Sequence, residues 1–482
     1  MNIREVLHIV GALLVWTAAA MLPSMVFGIA EGQLAPWLLS IAATAGLGAT
    51  LWFATPRVIS INPREGIAVV GLGWVSIVLM GSLPFVFTGI APTITGAVFE
   101  SVSGFTTTGA TIFPVIEELP RSILLWRSIS HWLGGMGIIV LGVAILPLIG
   151  MGGAQLFRAE APGIATDRLK PRIATTARLL WVVYAVLTAV LAVIYLVLGM
   201  TPFDAVNHAL SALATGGFST RTASLGYYSA TIQWVTMLFM FMAGVNFTLH
   251  YRMMTGRLDA WIRDPEWRWY FASSLGIGGV VFFALSLSEG VWSLDGLRRA
   301  AFNVVAVHST TGFTTDDFAA WPAVGQVLLL GLMFVGAMGG STGGGFKVVR
   351  AAVVTQHARG EIRKILHPRA VIVTRLGRSP VRADIVLKVL AFLTLYMFTY
   401  AIGTAILAAL GNDLVTSMSA ALAALSSIGP GLGEVGPTAN YGHLGAPAHV
   451  VLSVLMLLGR LEFYTLLVLF IPGAWSKAGG NR

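Results

Sequence analysis

Four short glycine-centred segments constrain this chain more than any other feature. Each ends a brief apolar stretch set between apolar runs of membrane length. They read Ser103-Gly104-Phe105-Thr106-Thr107-Thr108-Gly109-Ala110-Thr111, Ala214-Thr215-Gly216-Gly217-Phe218-Ser219, Ser309-Thr310-Thr311-Gly312-Phe313-Thr314 and Ser426-Ser427-Ile428-Gly429-Pro430-Gly431. A filter for a dehydrated cation needs about four segments converging on one axis, each presenting backbone carbonyls. Glycine lets the backbone turn those carbonyls inward where a side chain would clash. One copy alone reads equally well as a turn in a loop; four point to a pore.

Composition places the segments in a bilayer. Only 11% of the 482 residues are charged and 56% are hydrophobic, against about a quarter charged in a soluble protein. Runs of roughly twenty apolar residues recur from end to end, so the expected class is an all-α polytopic membrane protein. There is no cysteine, which excludes disulfides, thiolate metal sites and cysteine nucleophiles. The first apolar segment, about Val6–Ile29, is expected to be a retained span rather than a cleaved signal.

The net charge of +9 is sorted by side. With loops assigned to alternate faces, one face carries 24 Lys/Arg and 9 Asp/Glu, the other 5 and 11, with Arg460 and Glu462 inside the last span. The basic face includes Arg57, Arg64, Arg158 to Arg178, Arg252 to Arg268 and Lys347 to Lys388. By the positive-inside rule it is cytoplasmic, as are both termini. A nucleic-acid partner is not expected. The acidic face carries Glu100, Glu117, Glu118, Asp204, Glu289, Asp295, Asp316, Asp317, Asp413 and Glu434, and is expected either to form a cation-attracting vestibule or to be ordinary solvated loops.

Aligned on Gly109, Gly216, Gly312 and Gly429, the segments are 107, 96 and 117 residues apart, which suits a duplicated span–loop–span unit. The expected organisation is a two-span unit over 1–60 and four repeats over 61–155, 156–258, 259–368 and 369–482. Their spans are predicted at Ile67–Thr88 and Ile123–Ile149, Leu179–Leu198 and Ile232–Met254, Trp269–Leu287 and Val324–Val354, and Ile385–Leu410 and His449–Ile471. Between them lie short helices at Thr93–Thr106, Pro202–Leu213, Asp295–His308 and Asp413–Leu425, of re-entrant rather than spanning length. Helix C-termini carry roughly half a negative charge, so four of them aimed at one point favour a cation.

These filters, the run Ser128-Ile129-Ser130-His131-Trp132-Leu133-Gly134-Gly135-Met136-Gly137 and the glycine-rich stretch after Met338 resemble the Trk/Ktr/HKT superfamily of potassium transporters. The two extra N-terminal spans make the chain similar to the TrkH-type membrane subunit. The resemblance implies potassium uptake across the bacterial inner membrane, with K+ as permeant ion and no bound cofactor. It assigns ion coordination to Thr108-Gly109, Thr215-Gly216, Thr311-Gly312 and Ile428-Gly429, above an inner edge of Thr107, Ala214, Thr310 and Ser427. In the plant branch a serine at the first filter glycine accompanies sodium preference; Gly109 therefore implies potassium. The resemblance also implies a homodimer and a cytosolic, TrkA-type nucleotide-binding ring. Lys347–Lys388 is a docking candidate for that ring, while attraction to anionic lipid accounts for some of the same charge.

The third repeat's second span contains Gly336-Ala337-Met338-Gly339-Gly340-Ser341-Thr342-Gly343-Gly344-Gly345-Phe346-Lys347. So many glycines, each costing about 1 kcal/mol against alanine, do not hold a regular helix. A polar loop here, centred on Gly339 to Gly345, either occludes the pore or serves as a passive hinge; the resemblance implies the gate, touched by Arg460. Glu462 lies two residues from Arg460 on another helix face and is a poor partner for it. Lys347 has either a similar role or a topological one. Arg127 and His131 share a helix face, Glu100 is a candidate partner for Arg127, and all three are expected to scaffold the filter. Asn246 and His250 are read as structural.

The sequence leaves two other classes open. A proton- or sodium-coupled secondary transporter would place ionisable residues deep in several spans, where only Arg460 and Glu462 clearly qualify; a sodium-permeable relative is a variant of the pore reading. An enzyme is not expected, since HExxH and GxxxxGK[ST] are both missing. Channel-like flow and proton coupling are not separated by sequence.

Overall fold

The computed structural model describes residues 2–55, 62–144 and 169–467. Arg57, Arg158 and the span ends expected at Ile149 and Ile471 lie outside them. The only strands among the described residues are a small hairpin, Arg375–Leu376 with Ser379–Pro380. Among the described residues, seven helices are long and apolar enough to cross a membrane, or eight if one sharply bent pair counts as a single span. The first two, Ile3–Ala30 and Leu34–Phe53, cross where small residues let backbones touch: a β-carbon at Gly11 would lie 2.6 Å from the Gly48 carbonyl oxygen.

Each repeat then opens with a long helix: Pro63–Gly81, Leu169–Val197, Pro265–Glu289 and Ala383–Ala409. The short helices follow at Ile94–Phe105, Pro202–Leu213, Leu294–His308 and Leu414–Ser426. Their first turns are capped by the side chains of Thr93, Thr201, Ser293 and Asp413, which accept backbone N–H groups left without intrahelical partners. The third starts one residue earlier than expected, because Ser293 takes the cap and Asp295 sits in the first turn against Arg299, 3.3 Å away.

The second spans are where sequence and structure part. The first is an ordinary helix over the described residues, Arg121–Ala144. The second, predicted unbroken, divides into Ala230–Ala243 and Phe247–Met254, bent by 102°. At the break a β-carbon on Gly244 would lie 2.3 Å from the Tyr270 hydroxyl, and Asn246 caps the new helix by accepting from Thr248 N at 2.8 Å. The third stops at Val335, crosses the glycine-rich loop and resumes as Val348–Leu366. The fourth, also predicted continuous, ends at Arg460; Glu462 and Phe463 are left-handed, with φ of 56° and 53°.

Candidate functional site

The four glycine segments leave their helices along one shared backbone path. The N–H groups of Thr107, Thr215, Thr310 and Ser427 donate to the carbonyls three residues earlier, at 3.0–3.2 Å. Those of Thr108, Gly216, Thr311 and Ile428 donate to the carbonyls five residues earlier, at 2.8–3.0 Å. Thr107, Thr215, Thr310 and Ser427 are all left-handed, with φ between 54° and 59°. That conformation costs a non-glycine residue of order 1 kcal/mol and persists where the surroundings enforce it. Gly109, Gly217, Gly312 and Gly429 follow, with φ of 81°, 81°, 76° and 92°.

The glycines close a ring. A β-carbon at Gly109 would lie 2.1 Å from the Gly216 carbonyl oxygen, one at Gly217 2.2 Å from that of Thr311, one at Gly312 1.8 Å from that of Ile428, and one at Gly429 2.7 Å from that of Thr108. Each repeat therefore leans on the next, and the fourth on the first. All four glycines line one cavity on the acidic face.

This geometry corrects the register of the second repeat by one residue. Gly217, not Gly216, is the counterpart of Gly109, Gly312 and Gly429; Thr215, not Ala214, is the counterpart of Thr107, Thr310 and Ser427. Gly216 occupies the position held elsewhere by Thr108, Thr311 and Ile428. The double glycine concealed this, since either residue aligns. Gly216 has its own reason to lack a side chain: a β-carbon there would lie 2.1 Å from His131 Nδ1.

The carbonyl oxygens of the ring stand apart from the rest of the backbone. At the positions of Thr107, Thr108 and Gly109 and their counterparts, no hydrogen-bond donor among the described residues reaches them, with the exception of Gly429. A buried carbonyl at membrane depth is tolerable only beside water, an ion or another donor.

Side chains brace the ring from behind. The Arg127–Glu100 pair is 2.7 Å apart with side chains 2% and 0% exposed, and Glu100 also accepts from Thr111 Oγ1 and Ile112 N. The Arg127 guanidinium lies 3.9 Å from the Phe218 ring centre, and His131 stacks on Phe218 at 4.0 Å while meeting Ser211 at 3.0 Å. Behind the third and fourth segments stand His308 with Ser274, 2.8 Å, and Tyr396 with Ser426, 2.6 Å. His250 bonds the Met242 carbonyl at 2.9 Å, away from the ring.

The acidic face is more neutral than its sequence implied. Glu100 is buried against Arg127, Asp204 pairs with Arg221 at 3.1 Å, and Glu289 and Asp316 share Arg299. Arg127 and Arg221 also line the cavity over the ring. Glu117, in a loop outside the spans, loses solvent but accepts from Thr222, and the net effect holds its pKa below the usual carboxylate value.

The glycine-rich loop lies directly beneath. Gly344 N donates to Thr310 Oγ1 at 2.7 Å. Thr342 Oγ1 donates to the Leu213 carbonyl, the last residue of the second short helix, at 3.0 Å. A β-carbon at Gly344 would lie 2.1 Å from the Ser426 carbonyl oxygen. Arg460 Nη1 donates to the Thr342 carbonyl at 2.6 Å and Nη2 to that of Gly134 at 3.4 Å. Loop and arginine together thus touch all four repeats. Lys347 Nζ donates to the Gly343 carbonyl, and the buried Glu266 accepts from Gly339 N at 2.7 Å and Val349 N at 3.1 Å. Glu462 pairs with Arg350 at 2.6 Å rather than with Arg460. Sequence reasoning missed Glu266, Tyr441 and the Arg350–Glu462 pair, whose partners lie far away along the chain.

Comparison with known proteins places the arrangement. Residues 37–477 match the family model described as "TrkH: Cation transport protein". The chain is 40% identical to the Trk system potassium uptake protein TrkH of Halomonas elongata, over 99% of this chain and all of that one. It is 39% identical to TrkH of Escherichia coli K12 with the same coverage, and 33% identical to TrkG of that strain over 99% of each. The crystal structure of the potassium transporter TrkH from Vibrio parahaemolyticus superposes with a TM-score of 0.91 at 38% identity, covering 99% of this chain and 100% of that one. The fold, the full-length identity and the matched family model agree: this chain belongs to the TrkH family of cation transport proteins.

Proposed function

We propose that this protein takes up potassium across the bacterial inner membrane, through a central pore whose filter is the ring at Gly109, Gly217, Gly312 and Gly429. The observation that carries the reading is the set of stacked carbonyls without donors, contributed by four repeats in matching register. A dehydrated cation supplies what those oxygens lack. In the corrected register the coordinating pairs are Thr108-Gly109, Gly216-Gly217, Thr311-Gly312 and Ile428-Gly429, above Thr107, Thr215, Thr310 and Ser427. The names of the relatives, all potassium uptake proteins, support potassium as the ion.

The loop Gly336–Lys347 is the gate in this reading. It sits under the filter, its backbone contacts are specific rather than those of a slack hinge, and Arg460 adds a positive charge beneath the ion path. The basic surface from Arg359 to Lys388 faces the cytoplasm, as do both termini; Lys347 and Arg350, expected to belong to it, are buried beside the loop. That surface receives a nucleotide-binding regulatory ring, and two copies of the chain form the membrane unit.

Flux in proteoliposomes containing the purified chain tests the reading, comparing K+ with Na+ with and without a proton ionophore. Potassium-selective flux following the potassium gradient alone is expected. Flux that requires a proton or sodium gradient would replace the channel with a coupled transporter.

A further inference from the structure

The fourth repeat departs from the others at one carbonyl. The Tyr441 hydroxyl donates to the Gly429 carbonyl oxygen at 2.6 Å, whereas no donor among the described residues reaches the counterpart oxygens of Gly109, Gly217 and Gly312. Tyr441 is held for this contact. Its N–H donates to the Thr111 carbonyl at 2.8 Å, just beyond the first filter, and its own carbonyl meets His449 Nε2 at 2.8 Å. Its ring packs 5.5 Å from that of Phe99, and the residue is 3% exposed. It spans the seam where the fourth repeat meets the first, and it lines the same cavity as the four glycines.

A carbonyl oxygen that accepts a hydroxyl proton has one lone-pair direction occupied and its orientation fixed. It then offers less negative potential to an ion. The layers below, at Thr108 and Thr107 and their counterparts, have all four oxygens free of donors.

We propose that Tyr441 sets the affinity of the outermost filter layer, withdrawing one of its four carbonyls so that an ion entering there is held by three. This inference rests on the pore reading above. It makes the entrance a weak site and the inner layers strong ones, which lets an ion enter without being trapped.

The test is potassium binding to the full-length chain in detergent, read as the half-saturating K+ concentration fitted from the logarithmic rise of stability with K+ in thermal unfolding. That readout does not require an open gate. Tyr441→Phe frees the carbonyl while keeping the ring; the half-saturating concentration is expected to fall by about threefold to tenfold, the scale of one hydrogen bond. Replacing Tyr441 with a ring-fluorinated tyrosine strengthens the donor and should raise it. A packing role for Tyr441 would not produce that ordering. Equal half-saturation in all three proteins, or the reverse order, overturns the proposal. Gly109→Ser is measured alongside: if it leaves potassium preference over sodium unchanged, the filter reading fails and this inference with it. If Gly109→Ser loses the preference while the Tyr441 variants match the parent, only the Tyr441 assignment fails.

Discussion

The glycine ring and the layer directly beneath it are built by opposite rules. In the ring, four segments with different side chains share one backbone path, down to the sign of φ at two positions and the two hydrogen bonds that set them. Beneath it, the four continuations differ: an intact helix, a helix bent by 102°, a glycine-rich loop, and a helix ended by two left-handed residues. A site made of backbone needs geometric equivalence and tolerates sequence change. A movable element needs the reverse, one repeat free to differ while the other three supply anchors.

The largest effect expected from breaking this contrast lies behind the ring. Arg127→Ala leaves Glu100 buried and unpaired, a change that costs about 3–5 kcal/mol, and it should be seen as a lower melting temperature together with lost potassium selectivity. Next comes the layer beneath. Arg460→Ala removes a charged hydrogen bond to Thr342, worth about 1.5–3 kcal/mol, so basal potassium flux should rise by about tenfold or more. Shortening Gly339–Gly345 should do the same, and unchanged basal flux in both would end the gate assignment.

Within the ring, Gly109→Ser places a β-carbon against the Gly216 carbonyl. Loss of one coordinating layer at about 1.4 kcal/mol lowers the K+/Na+ preference roughly tenfold. A subtler pair of variants tests the register. Gly216→Ala collides with the His131 side chain, so His131→Ala in the same protein should restore flux. Gly217→Ala meets the Thr311 carbonyl at a left-handed φ, and no side-chain truncation should rescue it. Rescue of both would return the filter position to Gly216.

The smallest effect concerns Asp413, at the exposed start of the fourth short helix. Asp413→Ala removes a cap worth about 1 kcal/mol. The hydrogen bonds from Thr416 hold the Asp413 carboxyl below its ordinary pKa. Its contribution is therefore present above about pH 4, the unfolded value, and is lost as pH falls through the lower folded one. A melting temperature whose difference from Asp413→Ala grew with acidification would contradict this.

Much of the ring was legible because its grammar is local: a capped helix of fixed length, a glycine, and long apolar runs on either side. The second repeat slipped because adjacent Gly216 and Gly217 carry no mark of which one is left-handed. The breaks at Gly244 and after Arg460 were hidden for a different reason. Single glycines are common inside membrane helices, and only Tyr270, Ser309 and Leu425 crowding from outside show why these positions cannot bear a side chain. Apart from Glu100–Arg127, the pairing of the acidic face was also beyond sequence, since Asp204–Arg221 and Glu289–Arg299 arise from convergence of separate elements.

The anchoring of the loop to every repeat also bears on how a pore of this kind would report its activity one molecule at a time. Contacts to Thr310, Leu213, Ser426 and, through Arg460, Gly134 belong to one connected strap. Releasing one contact while keeping the rest moves the strap very little, so release is concerted. Single-pore current records should then show two levels. Weakening any one anchor would shorten the dwell time at the lower level and leave the height of the upper one unchanged, because the height belongs to the ring above.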